Sequence, residues 1–365
     1  MIDYRERFER VRAEMEREGV DYLLVGPSTD LVYLLGYPAR QSERLTLFVL
    51  PRDGAPRLVM PSFELPRVER IRQLAEPASW TETENPTELL ASLLPKRASG
   101  KKIAVGGQLY TYFLLRIQQA LPEATFVPGE LALDPVRMRK SRYEIDQLRA
   151  ASEAADAVFE ALIEMPLKGR SEKEILVDIH RLLLEKGHES VGGGIVGIGE
   201  NGASPHHHVG DRRAQRGDAV VVDFGGVRNN YRSDLTRTFA IGAPTDEFRR
   251  VYDIVNEANQ KAFEAVRPGV AAEEIDRAAR DHITAAGFGE AFLHRTGHGI
   301  GLDGHEPPYL VAGNKLPLEE GMTFSIEPGI YLAEKFGVRI EDIVVVTADG
   351  ADRFNRSTHA LQTVE

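Results

Sequence analysis

Cysteine is absent from the 365 residues, which excludes disulfides, thiolate metal sites and cysteine nucleophiles. No apolar run approaches the roughly 18 residues that a membrane span needs. The opening MIDYRERFERVRAEMEREG is charged, helical in period and without the apolar centre of a secretory signal. These absences predict a cytoplasmic protein with no membrane contact. Positive charge is also in deficit: 45 Lys and Arg stand against 56 Asp and Glu, a net of −11. Such a chain does not advertise nucleic-acid binding, and it leaves carboxylates free for hard cations. There is no P-loop, no HExxH and no GxSxG, so nucleotide-phosphate, zincin and serine-hydrolase chemistries lack support. Two GxGxxG matches, at 192–197 and 197–202, do not lie between a strand and a helix and do not read as dinucleotide loops. Hydrophobic residues at 42% and charged residues at 28% exclude a disordered chain.

The length predicts two or three domains, and the pattern along the chain gives two. Residues 1–130 read as a mixed α/β domain. A helix runs to Glu18 and stops at Gly19. Tyr22–Val25, Leu45–Leu50, Leu58–Met60 and Lys101–Val105 read as strands, and helical stretches fall near 63–74, 86–97 and 110–121. Pro128, Gly129 and Pro135 mark a break, and Val136–Ser141 reads as the start of a helix in a second domain, 131–365. No histidine precedes His180, so imidazole chemistry belongs to the second domain.

That second domain reads as a duplication. A long helix over 142–165, a glycine turn at Gly169 and a helix from the capping box Ser171–Glu174 to Gly187 come first. They recur as 245–267, Gly269 and 272–287. Each half then has a strand led by glycine and closed by a carboxylate six positions on: Gly217 to Asp223, and Gly321 to Glu327. Two such halves, packed face to face, would line a cleft with acidic strands.

The carboxylates suggest paired hairpins. A turn centred on Arg228 and Asn229 would set Asp223 opposite Asp234. A turn at Glu334 would set Glu327 opposite Glu341. Asp223, Glu327 and Glu341 lie beside apolar strand segments, where ionised carboxylates are rare unless paired or metal-bound. Six of the ten histidines fall in two short stretches, His206-His207-His208 and His294…His298…His305. One histidine with four carboxylates is an oxygen-rich set suited to Mn²⁺, Co²⁺, Fe²⁺ or Zn²⁺. It holds more donors than one ion needs, which points to two ions bridged by carboxylates. Arg339 shares a strand face with Glu341. It could grip a substrate carboxylate bidentately or support the acidic site by pairing with Asp234 or Glu341.

The order D-x10-D, GHGIG, HE-P, SIEPGIY and GVRIED resembles the pita-bread metallopeptidases. The nearer branch is the proline-specific one, prolidases and Xaa-Pro aminopeptidases, which carry an additional N-terminal creatinase-like α/β domain. The resemblance implies a pseudo-twofold catalytic domain. It places Asp223, Asp234, His298, Glu327 and Glu341 on metal-ligand positions for two divalent ions, Mn²⁺ foremost, with Co²⁺, Zn²⁺ or Fe²⁺ as alternatives. It places His206 on the substrate side of the cleft, His305 at the scissile carbonyl, and Glu327 as proton shuttle beside a metal-bridging hydroxide. His294 would lie outside the ligands, and His207 and His208 take no role from it. The implied activity is hydrolysis of the Xaa-Pro bond of a small peptide with proline second, by a homodimeric prolidase. An Xaa-Pro aminopeptidase acting on longer peptides, or a binding protein with a dead site, are the alternatives.

Overall fold

The computed structural model describes residues 2–365. The chain divides into two compact units, one ending at Arg137 and one spanning Met138–Glu365; the sequence suggested the break at 130/131. The helix Glu130–Met138 runs through Pro135, because a proline removes only one backbone donor. Val136–Met138 therefore close a helix, and the next one starts at the N-cap Ser141.

The first unit is a six-stranded mixed sheet. Its strand order is 76–80, 57–61, 47–51, 22–25, 102–105, 125–128. The central strands are apolar on both faces and buried, as strands covered by helices must be. Leu24, Val49, Val59 and Ile103 pack with Leu90, Phe113 and Ile117 of the covering helices. The stretch predicted as a helix near 63–74 is a 3₁₀ segment, Ser62–Ile71, with Pro66 inside it. The strands Glu76–Trp80 and Thr125–Pro128 and the helix Thr29–Leu35 were too short or too polar to announce themselves.

The second unit bears the duplication out. Helices Arg142–Ile163 and Glu172–Glu185 precede the sheet 363–364, 235–241, 219–228, 190–198. Helices Asp246–Ala265 and Ala272–Ala285 precede the sheet 306–310, 297–299, 323–326, 342–346, 351–353. The halves share matching bonds at the turn between their two helices. Ser171 bridges Arg213 as Ala271 bridges Pro317. The Gly169 amide bonds Ala214 O as the Gly269 amide bonds Leu318 O. Gly169 and Gly269 have φ of 83° and 84°, in the left-handed region that glycine enters without strain. Each half has its own apolar core, around Phe159, Ile175, Phe224 and Phe239 in one, and Tyr252, Ile275, Phe324 and Ile340 in the other.

The halves join along one seam. Thr238 Oγ1 accepts from the Arg339 amide at 3.0 Å and donates to the Arg339 carbonyl at 2.9 Å. The Glu341 amide donates to Thr236 O at 3.0 Å. Arg237, only 1% exposed, pairs with Asp342 at 2.8 Å and donates to Glu341 O at 2.6 Å. Among the described residues no helix is long and apolar enough to cross a membrane.

Candidate active site

The two carboxylate hairpins are built differently. In the second half, Gly329 pairs Arg339 and Ile326 pairs Asp342. This register sets Glu327 opposite Glu341, as the symmetry about Glu334 predicted. Glu334 takes φ of 62° at the turn. In the first half, Arg228 pairs Tyr231, so the two-residue turn is Asn229-Asn230, with φ of 50° and 70°. Asparagine tolerates this left-handed pair, which matches the strand twist. The axis thus lies one residue beyond the predicted centre, and Asp223 faces Thr236 rather than Asp234. Asp234 lies diagonally, beside Gly225.

The side chains converge nonetheless. Asp223, Asp234, His298, Glu327, Glu341, His206, His305 and Arg339 all line one cavity of about 530 Å³, together with Ile195, Pro205, His294 and Arg295. Donor atoms of Asp223, Asp234 and Glu341 lie within 4.8 Å of one another, as do those of His298, Glu327 and Glu341, and of Asp234, His298 and His305. His298 Nε2 is 3.2 Å from Glu327 and 3.9 Å from Asp234. The His298 amide donates to Ser325 Oγ at 3.0 Å, and Ser325 Oγ donates to Glu327 at 3.1 Å. That fixes the two relative to each other.

The electrostatics are those of a site short of positive charge. Burial, then the neighbouring Asp223 carboxylate, pushes Asp234 up to about 8. Burial, then Asp234, Glu327 and Asp223, drives Glu341 far above the usual carboxylate range. Burial would also raise Glu327, but the hydrogen bond and charge of His298 outweigh it and hold it down at about 2. Glu341 Oε2 accepts from Thr236 Oγ1 at 2.7 Å, whereas Oε1 is buried with no hydrogen-bond partner among the described residues. A buried carboxylate oxygen without a donor is costly, and a cation in the cavity relieves both that and the crowding. The donor set fits divalent ions, with an all-oxygen triad and a nitrogen-containing triad meeting at Glu341.

Arg339 is 3% exposed, and its guanidinium is engaged on every side. It bonds Asp223 at 2.6 Å, Tyr331 Oη at 2.7 Å, Thr236 Oγ1 at 3.2 Å and Pro205 O at 3.3 Å. Its anionic partner is thus Asp223, not Asp234 or Glu341. Tyr331 Oη also bonds His294 Nε2 at 2.7 Å, which links His294 to the site through two side chains. Tyr331, Thr236 and Arg295 were missed in the sequence. Alternation along 327, 329 and 331 would have aimed Tyr331 at the site. Small residues make room for it: a Cβ on Gly329 would meet the Tyr331 hydroxyl at 2.6 Å. Of the histidine triple, only His206 lines the cavity; His207 turns away to Glu172, at 2.8 Å.

Four carboxylates and a histidine gathered at the seam of a duplicated α/β frame define a metal-dependent hydrolase. The chain belongs to metallopeptidase family M24, whose description matches residues 146–348, while residues 7–139 match the creatinase/prolidase N-terminal domain. It is 41% identical to the probable dipeptidase PepE of Mycobacterium tuberculosis, over 99% of this chain and 96% of that protein. It is 36% identical to an Xaa-Pro dipeptidase of Lactobacillus helveticus, over 94% and 95% of the two chains. The structure of a prolidase from Thermococcus sibiricus superposes with a TM-score of 0.95 at 35% identity, covering 100% of both chains. Membership of the family implies divalent metal ions.

Proposed function

We propose that this chain hydrolyses the Xaa-Pro bond of dipeptides and holds two divalent ions, Mn²⁺ in the first instance, on Asp223, Asp234, His298, Glu327 and Glu341. The observation that carries the reading is the pair of donor triads that share Glu341 in one cavity. The relatives named for dipeptidase and prolidase activity supply the substrate class. When bound, two such ions lower the pKa of a shared water toward neutrality and polarise the scissile carbonyl.

The protein's own groups do the rest. Burial, then the adjacent His298, holds His305 down at about 4, so at neutral pH it is an uncharged imidazole. Its ring stacks on His298 with centroids 3.7 Å apart. The Arg295 guanidinium lies 3.3 Å from His305 Nδ1. Arginine can only donate, so Nδ1 accepts and the proton resides on Nε2. That is the tautomer able to donate to a carbonyl oxygen as it becomes anionic. As a water's oxygen bonds the scissile carbonyl carbon, Glu327 takes that water's proton at its carboxylate and passes it to the prolyl nitrogen, which carries no hydrogen of its own and must be protonated for the C–N bond to break. His206, which lines the same cavity, contacts the substrate. Arg339 acts by neutralising Asp223 and anchoring Pro205 beside His206. The chain works as a cytoplasmic homodimer.

The test is metal analysis joined to an Ala-Pro hydrolysis assay. Wild type should bind two Mn²⁺ per chain and cleave Ala-Pro. Asp234→Ala should bind at most one and lose turnover. Substantial turnover by that variant would refute the two-ion assignment. Efficient wild-type cleavage of Ala-Pro-Gly would replace the dipeptidase reading by the aminopeptidase one.

A further inference from the structure

The carboxylate of Glu172 accepts four hydrogen bonds, and the metal site makes no direct use of it. Glu172 is the first residue of the helix Glu172–Glu185 and is 0% exposed. Its Oε1 accepts from the Ile198 amide at 3.1 Å and from Asn201 Nδ2 at 2.8 Å. Its Oε2 accepts from the Gly210 amide at 2.7 Å and from His207 Nε2 at 2.8 Å. A carboxylate has about four acceptor positions, and all are taken. Burial would raise its pKa, but the bonds from His207, Asn201, Ile198 and Gly210 outweigh it and keep the group below the ordinary carboxylate range.

All four donors come from one segment, 198–210. That segment leaves the strand Ser190–Ile198 and carries Pro205 and His206 to the cavity. Pro205 O accepts from Arg339 at 3.3 Å, so the segment is held at both ends by Glu172 and near its middle by Arg339. The duplication supplies an internal control. In the second half the matching turn closes with Ala272, whose amide bonds Leu316 O as that of Glu172 bonds Arg212 O. The helix start therefore needs no carboxylate.

We infer that Glu172 is a positioning residue for the hydrolysis: it fixes the 198–210 loop through His207, Asn201 and two backbone amides and thereby sets His206 over the substrate. His207, with no role assignable from sequence, is the latch of this arrangement and not a ligand. The inference rests on the placement of His206 at the substrate, so the experiment separates the two.

The experiment is a double-mutant cycle on the metal-loaded full chain, with Ala-Pro as substrate and bound metal measured for every variant. A misplacement of about 1 Å costs roughly 10²-fold in rate. Glu172→Gln replaces two acceptor positions by donors and should lower kcat by about 10- to 10²-fold without loss of bound metal. His206→Ala should lower kcat by about 10²-fold, within the range for a lost proton-transfer or substrate contact. If Glu172 acts through His206, Glu172→Gln/His206→Ala should be no slower than His206→Ala alone. Losses that multiply, a Glu172→Gln kcat within twofold of wild type, or loss of metal from Glu172→Gln would overturn the inference while leaving the role of His206 standing. An unaffected His206→Ala would overturn both. Should Glu172→Gln fail to fold, His207→Ala removes one of the four bonds and takes its place in the cycle. His207→Gln, which keeps a donor, should then recover most of the loss, and a Gln variant as slow as the Ala one counts against the latch.

Discussion

Arg339→Lys separates two uses of a buried cation. The guanidinium reaches Asp223, Tyr331, Thr236 and Pro205 at 2.6 to 3.3 Å from three different nitrogens. A lysine ammonium is a single point. If it keeps Asp223, the bonds to Tyr331, Thr236 and Pro205 are lost. Tyr331 retains His294 and is not orphaned, so the net loss is two to three hydrogen bonds of about 1–1.5 kcal/mol each. Urea titration of metal-free protein should therefore show about 2–4 kcal/mol of destabilisation. Because the guanidinium is committed to the protein, kcat/KM for Ala-Pro and for Ala-Pro-amide should fall by similar factors. A KM increase confined to Ala-Pro, with its free carboxylate, and an unchanged urea midpoint would refute the argument and return Arg339 to substrate binding.

Three further outcomes are expected. His305→Ala should lower kcat by roughly 10²–10³-fold, as for the loss of one oxyanion donor, with bound metal unchanged; a variant that loses metal would show His305 to be a ligand. Lys140 and Glu306 form a buried pair at 2.7 Å, with side chains 2% and 7% exposed, so Lys140→Met should cost about 3–5 kcal/mol in urea unfolding, most of it recovered in Lys140→Met/Glu306→Gln. The folded-state pKa of Glu172 lies below the ordinary 4.5, so on acidification the unfolded chain takes up a proton there before the folded one does. Its contribution is full above 4.5 and is lost as pH falls through the lower folded value. The thermal midpoints of wild type and Glu172→Gln should therefore converge toward low pH, and a constant gap would contradict that.

The legibility of the site in the sequence followed from what local symmetry can carry. Glu327 and Glu341 were placed opposite each other because their strands continue in one register on both sides of the Glu334 turn. The pairing of Asp223 was misplaced by two residues, Thr236 standing where Asp234 was expected, since the turn formers Asn229 and Asn230 admit more than one axis and only the backbone decides. The duplication showed because glycines at helix ends and strand starts are required by positive φ and so repeat visibly. Thr236 was silent, because a hydroxyl that aims a carboxylate or a guanidinium has no spacing rule, whereas Tyr331 was legible by strand alternation from Glu327 and was passed over. Glu172 was read as part of a capping box, which it also adjoins, and its four bonds to a loop some 26–38 residues away leave no local trace.

The seam between the halves also sets a timetable. Thr238 and Arg339, which exchange two hydrogen bonds, are 101 residues apart. A ribosome adding about 5–20 residues per second needs some 5–20 s between exposing one and the other. During that interval Arg237 has no Asp342 and the strand Leu235–Ile241 has an unpaired edge. Asp223 and Asp234 meanwhile wait for the carboxylates of the second half. Competence to bind metal at both triads therefore arrives only with the last few dozen residues. Until then the nascent first half carries an unpaired strand edge, the kind of exposure that makes a folding intermediate prone to aggregate.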